Sequence, residues 1–184
     1  LEQDVALVCF PHCSNDFGAI NDVAGICRLA RAAGARTVVD GVSYAPHGFP
    51  DVAALGCDVY LFSAYKTYGP HQGIMAIRED WGMELPNQGH HFNGDTLYYR
   101  FTPAGPDHAQ AAASAGMADY FDAMSVHHGG GTGAAAARKS HDLMREQEIA
   151  VLQPLLDYVS SKNSVRLIGP ADAARRAPTV AMAL

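Results

Sequence analysis

Basic residues are scarce in this chain. Its 184 residues hold 13 Lys and Arg against 19 Asp and Glu, a formal net charge of −6 at pH 7. That balance argues against nucleic acid as the main partner, because backbone phosphates are held by clustered Lys and Arg. Long apolar runs are also missing. No stretch reaches the roughly 18 consecutive apolar residues of a membrane span, so no membrane role is expected. The opening Leu1-Glu2-Gln3-Asp4 has neither a basic leader nor an apolar core, and no initiator Met. A secretory leader is therefore not expected, and the chain reads as a cytoplasmic piece of something longer. Cysteines number four, Cys9, Cys13, Cys27 and Cys57, with no regular spacing. They read as reduced thiols at core positions. Cys9, His12 and Cys13 lack a second ligand pair at finger-like distance, so no metal site is expected.

Hydrophobic residues make up 48% of the chain and charged residues 17%. A chain of this length can bury roughly 70% of its unfolded surface without a disulfide or metal staple. Short apolar runs alternate with helical patterns. Val5–Phe10, Arg36–Asp40, Asp58–Ser63 and Gly73–Arg78 read as strands. Asp22 starts a helix with Val23, Ile26, Cys27, Ala30 and Ala33 at spacings of three and four, and Gly34 ends it. Asp51–Leu55 is a short helix closed by Gly56. The alternation implies an α/β fold, a mostly parallel sheet with helices on both faces. Residues 79–106 read as loop. Two helical stretches follow, Asp107 to about Met124 and about Ala134 to Ser161, the second expected to kink or divide at Pro154. Ser164–Ile168 is a possible strand, and the terminal run Pro178–Leu184 is strand-like without an evident partner.

Reactive groups gather at the strand ends. In parallel sheets, ligands bind outside the carboxyl ends of the strands. The first strand leads to Ser14-Asn15-Asp16. The second ends at Asp40, followed by Gly41-Val42-Ser43, and the third ends at Ser63, followed by Ala64-Tyr65-Lys66. With these strands adjacent, Asn15, Asp40, Ser43, Ser63 and Lys66 converge on one rim. A partly desolvated lysine is an amine nucleophile towards a carbonyl. An aspartate at a strand end can hold a heterocyclic nitrogen protonated. Pyridoxal 5'-phosphate needs both groups. Ser hydroxyls and nearby backbone amides suit its phosphate.

Asp40-Gly41-Val42-Ser43-Tyr44-Ala45-Pro46-His47, followed by Ser63-Ala64-Tyr65-Lys66-Thr67-Tyr68-Gly69-Pro70, resembles the class V aminotransferase family. The likeness is greatest to the cysteine-desulfurase-like branch of these fold-type-I enzymes. Ser14-Asn15-Asp16-Phe17-Gly18 resembles the family's Ser-Asn-x-x-Gly loop. The steps from Asn15 to Asp40 and from Asp40 to Lys66, 25 and 26 positions, suit the same pattern.

The resemblance implies that Lys66 forms the internal aldimine and then shuttles protons. It implies that Asp40 pairs with the pyridinium nitrogen, Ser63 binds the cofactor phosphate and Asn15 lies beside the phenolic oxygen or the substrate. Ser43 stands where the desulfurase pattern has Gln, and Tyr65 where it has His, which marks a divergent branch. Pro106 stands where a phosphate-binding Thr is expected. The family's N-terminal phosphate loop should lie before Leu1, and its substrate-carboxylate Arg and catalytic Cys after Leu184.

On this reading residues 1–160 are the central part of the cofactor-binding large domain, and 161–184 begin the C-terminal small domain. The expected protein is a transferase or lyase acting on an amino-acid substrate, homodimeric at full length. The fragment alone is expected to be inactive. The alternative is a non-catalytic remnant of the same fold, serving as a binding or interaction module.

Overall fold

A computed structural model describes residues 4–48 and 50–184. The start Leu1-Glu2-Gln3, on which the leaderless reading rests, lies outside them. The main sheet has four strands in sequence order: β1 (Leu7–Pro11), β2 (Arg36–Asp40), β3 (Val59–Ser63) and β4 (Gly73–Ile77). β1 pairs with β2 and β2 with β3 in parallel, whereas β4 runs antiparallel to β3. The fold is therefore mixed α/β with a mostly parallel sheet, as the alternation of elements implies. β4 departs in direction because the link from Ser63 to Gly73 is a short turn, too short for the crossover that a parallel neighbour needs.

Helix α1 (Val23–Ala32) starts where the Asp22 carboxylate accepts the Gly25 N–H at 2.9 Å. Its buried stripe, Val23 and Cys27, meets Val39 and Tyr60 of the sheet. Helix α2 (Val52–Leu55) packs on the same cluster through Val52 and Leu55. Side chains alternate across a strand, so Val39 and Tyr60 share one face while Leu7, Cys9, Leu61 and Met75 share the other. That second face is open at Leu7 (46% exposed), Cys9 and Met75 (40%). Helical cover was expected on both faces; α1 and α2 supply it on one.

The stretch 79–106 is more ordered than a loop. It holds α3 (Glu79–Glu84) and the single-turn α4 (Leu97–Arg100). The next helical stretch divides at Ser114 into α5 (His108–Ala113) and α6 (Ala115–His127). Helix α7 (Ala134–Ser160) is unbroken across Pro154, whose side chain is exposed. The terminal run does find a partner. β5 (Arg166–Ile168) and β6 (Ala181–Ala183) form an antiparallel pair. A second core of Leu152, Leu156 and Ala173, with Leu167 and Val180 against it, joins α7 to this small sheet.

Candidate active site

β1 and β2 end level with each other, and β3 runs two residues further. Pro11 is level with Asp40, and Asp40 with Leu61. Two backbone bonds continue the ladder past the ends: the His12 N–H donates to the Asp40 carbonyl and the Gly41 N–H to the Leu61 carbonyl, both at 2.7 Å. Asp40 and Leu61 share a face by register, and Ser63, two residues on, shares it too. Asp40 and Ser63 therefore sit on one face at the carboxyl rim, on neighbouring strands.

Lys66 follows at once, in a single 3-10 turn (Ala64–Thr67). The turn is tightly held. Thr67 Oγ1 donates to the carbonyls of Ser63 (3.2 Å) and Ala64 (3.0 Å), and the Gly69 N–H also reaches Ala64 O at 2.9 Å. Tyr68 closes it with a left-handed φ of 67°. A turn so fixed sets where the half-buried Lys66 side chain begins.

The Asp40 carboxylate is exposed, and its Oδ1 accepts the Val42 N–H at 2.9 Å. Among the described residues nothing is bonded to Oδ2. Ser43 Oγ donates to Asn15 Oδ1 at 3.1 Å, which leaves the Asn15 amide nitrogen as a donor. Asn15 and Ser43 thus meet from the carboxyl ends of the neighbouring strands β1 and β2. Tyr65 is 47% exposed and stacks on His71, ring centroids 4.6 Å apart and planes 6° apart. Among the described residues no hydrogen bond joins Asp40, Ser63, Tyr65 and Lys66 to one another. They share a rim rather than a network.

Beneath the rim lies a ring cluster that no sequence motif marks. His12 is 5% exposed, stacks on Tyr44 at 3.5 Å, and shares a 2.9 Å hydrogen bond between Nδ1 and the Tyr60 hydroxyl. Burial lowers the His12 pKa to about 4 and pushes the Tyr60 phenol far above its ordinary value. His12 is therefore neutral at pH 7. Gly41 touches the same cluster: a Cβ there would lie 2.2 Å from the Tyr60 ring. His47, at the far end of the turn after Asp40, bonds through Nδ1 to Glu148 of α7 at 2.7 Å. A groove of about 740 Å³ between α6 and α7, lined by Met124, Met144 and Val151 among others, includes no rim residue.

An amine, a carboxylate and small hydroxyls thus lie at the carboxyl rim of a mostly parallel sheet. The class-V aminotransferase family model matches residues 1–184, and the chain belongs to that family. The chain is 33% identical to "Aminotransferase-like protein FGM3" of Gibberella zeae, over 98% of the chain and 43% of that protein. A shorter stretch of 70 residues is 47% identical to a probable cysteine desulfurase of Xylella fastidiosa, over 38% of the chain and 17% of the relative. In three dimensions the chain resembles the apo cysteine desulfurase of Thermococcus onnurineus. The TM-score is 0.63 at 22% identity, over 97% of the chain and 44% of that structure. The chain thus spans less than half the length of these relatives.

Proposed function

We propose that this chain is part of a pyridoxal-phosphate-dependent enzyme that acts on an amino acid. The observation that carries the reading is the rim: Asp40 and Ser63 on one face at adjacent parallel strand ends, with Lys66 in the turn immediately after. The donor set fits the cofactor. Lys66 is the amine that would hold its aldehyde carbon, and Asp40 offers a carboxylate oxygen without a partner to the ring nitrogen. Ser63 offers a hydroxyl to the phosphate, with the Tyr65 phenol beside it. Asn15 and Ser43 approach from the other side, where the Asn15 amide can donate to the phenolic oxygen.

When bound, pyridoxal phosphate supplies an electron-withdrawing ring that stabilises a carbanion at the substrate's α-carbon. The protein's part is to hold and orient. A negative Asp40 favours the protonated ring nitrogen. The Lys66 amine would be the group that takes and returns the substrate's α-proton. Residues 1–160 belong to the large domain on this reading and 161–184 open the small one. On this reading the full-length protein would be a homodimer, with its site shared across a two-fold. Transferase and lyase outcomes both begin from this arrangement.

The test is a titration of the full-length parent with pyridoxal phosphate, followed by visible absorbance. A new band that Lys66→Ala abolishes is expected. Absence of any band in the parent would falsify the proposal and favour a non-catalytic binding module.

A further inference from the structure

We infer that Arg176 is a positioning residue for the candidate site: it fixes Asn15 by clamping the loop that carries it to the small C-terminal sheet. The inference rests on the reading of the Asn15 rim as cofactor-binding.

Arg176 is fully buried, at 0% exposure. Among the described residues no carboxylate bonds to it. Its guanidinium donates instead to backbone carbonyls from separate segments: Pro170 (2.7 Å), Thr179 (2.6 Å), Ile168 (3.4 Å) and, 159 positions away in sequence, Phe17 (2.9 Å). Nε has no partner. Burying a charge without a counter-ion is costly unless its donors are met, so this arrangement favours one geometry sharply. Two backbone bonds reinforce the junction: Ala177 N–H to Gly18 O at 2.8 Å and Ile20 N–H to Arg175 O at 3.1 Å.

The clamped loop is compact. Gly18 N–H donates to Ser14 O at 3.0 Å and Ser14 N–H to Ala19 O at 2.9 Å, so residues 14–19 close on themselves with Asn15 at the tip. Ser14 Oγ accepts from the Asp16 and Phe17 amides, both at 3.3 Å. The contact has no slack. A Cβ on Gly18 would lie 2.7 Å from Ala177 O, and one on Gly169 2.9 Å from Phe17 O. Asn15 then meets Ser43 across the rim. A shift of the small sheet is therefore passed to Asn15 rather than absorbed. Asn15 is itself exposed, so its amide takes its direction from the closed loop beneath it and from the Ser43 hydroxyl.

The experiment uses the full-length parent loaded with pyridoxal phosphate and reads the pH midpoint of its visible band. Asn15→Ala removes a donor to an ionising oxygen and is expected to raise the midpoint. Arg176→Lys, which keeps the charge but not the fork of donors, is expected to raise it in the same direction by at least 0.5 pH unit, about threefold in proton affinity. In the Asn15→Ala background, Arg176→Lys is expected to add nothing. Additive shifts, or no shift from Arg176→Lys alone, overturn the inference while the band itself upholds the cofactor reading. A parent without a band overturns both. Gly169→Ala, which presses on Phe17 and leaves the Arg176 side chain itself in place, serves if Arg176→Lys does not fold, with the same two outcomes. In the cofactor-free parent, faster amide exchange at Gly18 and Ile20 in either variant supports the clamp, and unchanged exchange contradicts it.

Discussion

Lowering the pH from 7 to 4.5 is expected to destabilise this fold by about 2 kcal/mol through His12 alone. The group is buried against Tyr44 and Tyr60, and burial lowers its pKa to about 4 from the ordinary 6.5 of a histidine. Between those values the unfolded chain binds a proton that the folded chain refuses. Stability therefore falls as pH drops through 6.5 and stops falling below about 4. Each pH unit inside that window is worth up to about 1.4 kcal/mol, and the approach to each limit brings the total between pH 7 and pH 4.5 to about 2. His141, also lowered by burial, adds in the same direction. The assay is urea unfolding of the chain at pH 7 and pH 4.5, with His12→Gln beside the wild type. Gln cannot take up a proton and can still bond to the Tyr60 hydroxyl. The variant's loss between the two pH values is expected to be smaller by about 2 kcal/mol. An equal loss in both proteins, or an NMR titration placing the His12 imidazole near 6.5, would refute the reasoning.

Gly41→Ala drives a methyl into the Tyr60 ring and is expected to cost about 1–3 kcal/mol by overpacking, read from the urea midpoint. Tyr60→Phe leaves His12 Nδ1 buried without its partner and is expected to cost about 1–3 kcal/mol. Asp40→Asn keeps the size of the side chain and removes its charge. In the loaded parent, kcat is expected to fall more than KM rises, and the reverse pattern would place Asp40 in substrate binding instead.

The strands of the main sheet were legible because each is a short apolar run, and β2 and β3 close on a polar residue, Asp40 and Ser63. β2 matches residue for residue, and β1 begins two positions later than its apolar run, at Leu7. The direction of β4 was not legible: Gly73–Ile77 reads alike either way, and the turn that reverses it is a tertiary feature. Helices α3 and α4 are too short to show a period, at six and four residues. Pro154 suggests a kink or a division, and α7 is not divided there: the turns on either side are anchored in the second core through Leu152 and Leu156. β6 lacked a visible partner because its partner is the equally short β5 across an intervening loop. At the site, Asp40, Ser63 and Lys66 stood out through their place after strands, and the Asn15–Ser43 meeting followed from strand adjacency. His12, Tyr60 and Arg176 did not, since a buried histidine, tyrosine or arginine is ordinary in sequence. Their roles come from packing between segments as distant as Phe17 and Arg176.

The central claim is that Lys66 is the residue that holds the cofactor. The chain has three lysines, Lys66, Lys139 and Lys162. Loading the full-length parent with pyridoxal phosphate, reducing with borohydride and mapping the peptides by mass spectrometry separates them. The account predicts a stoichiometric pyridoxyl adduct on Lys66. An adduct on Lys139 or Lys162, or none on this chain, would contradict it.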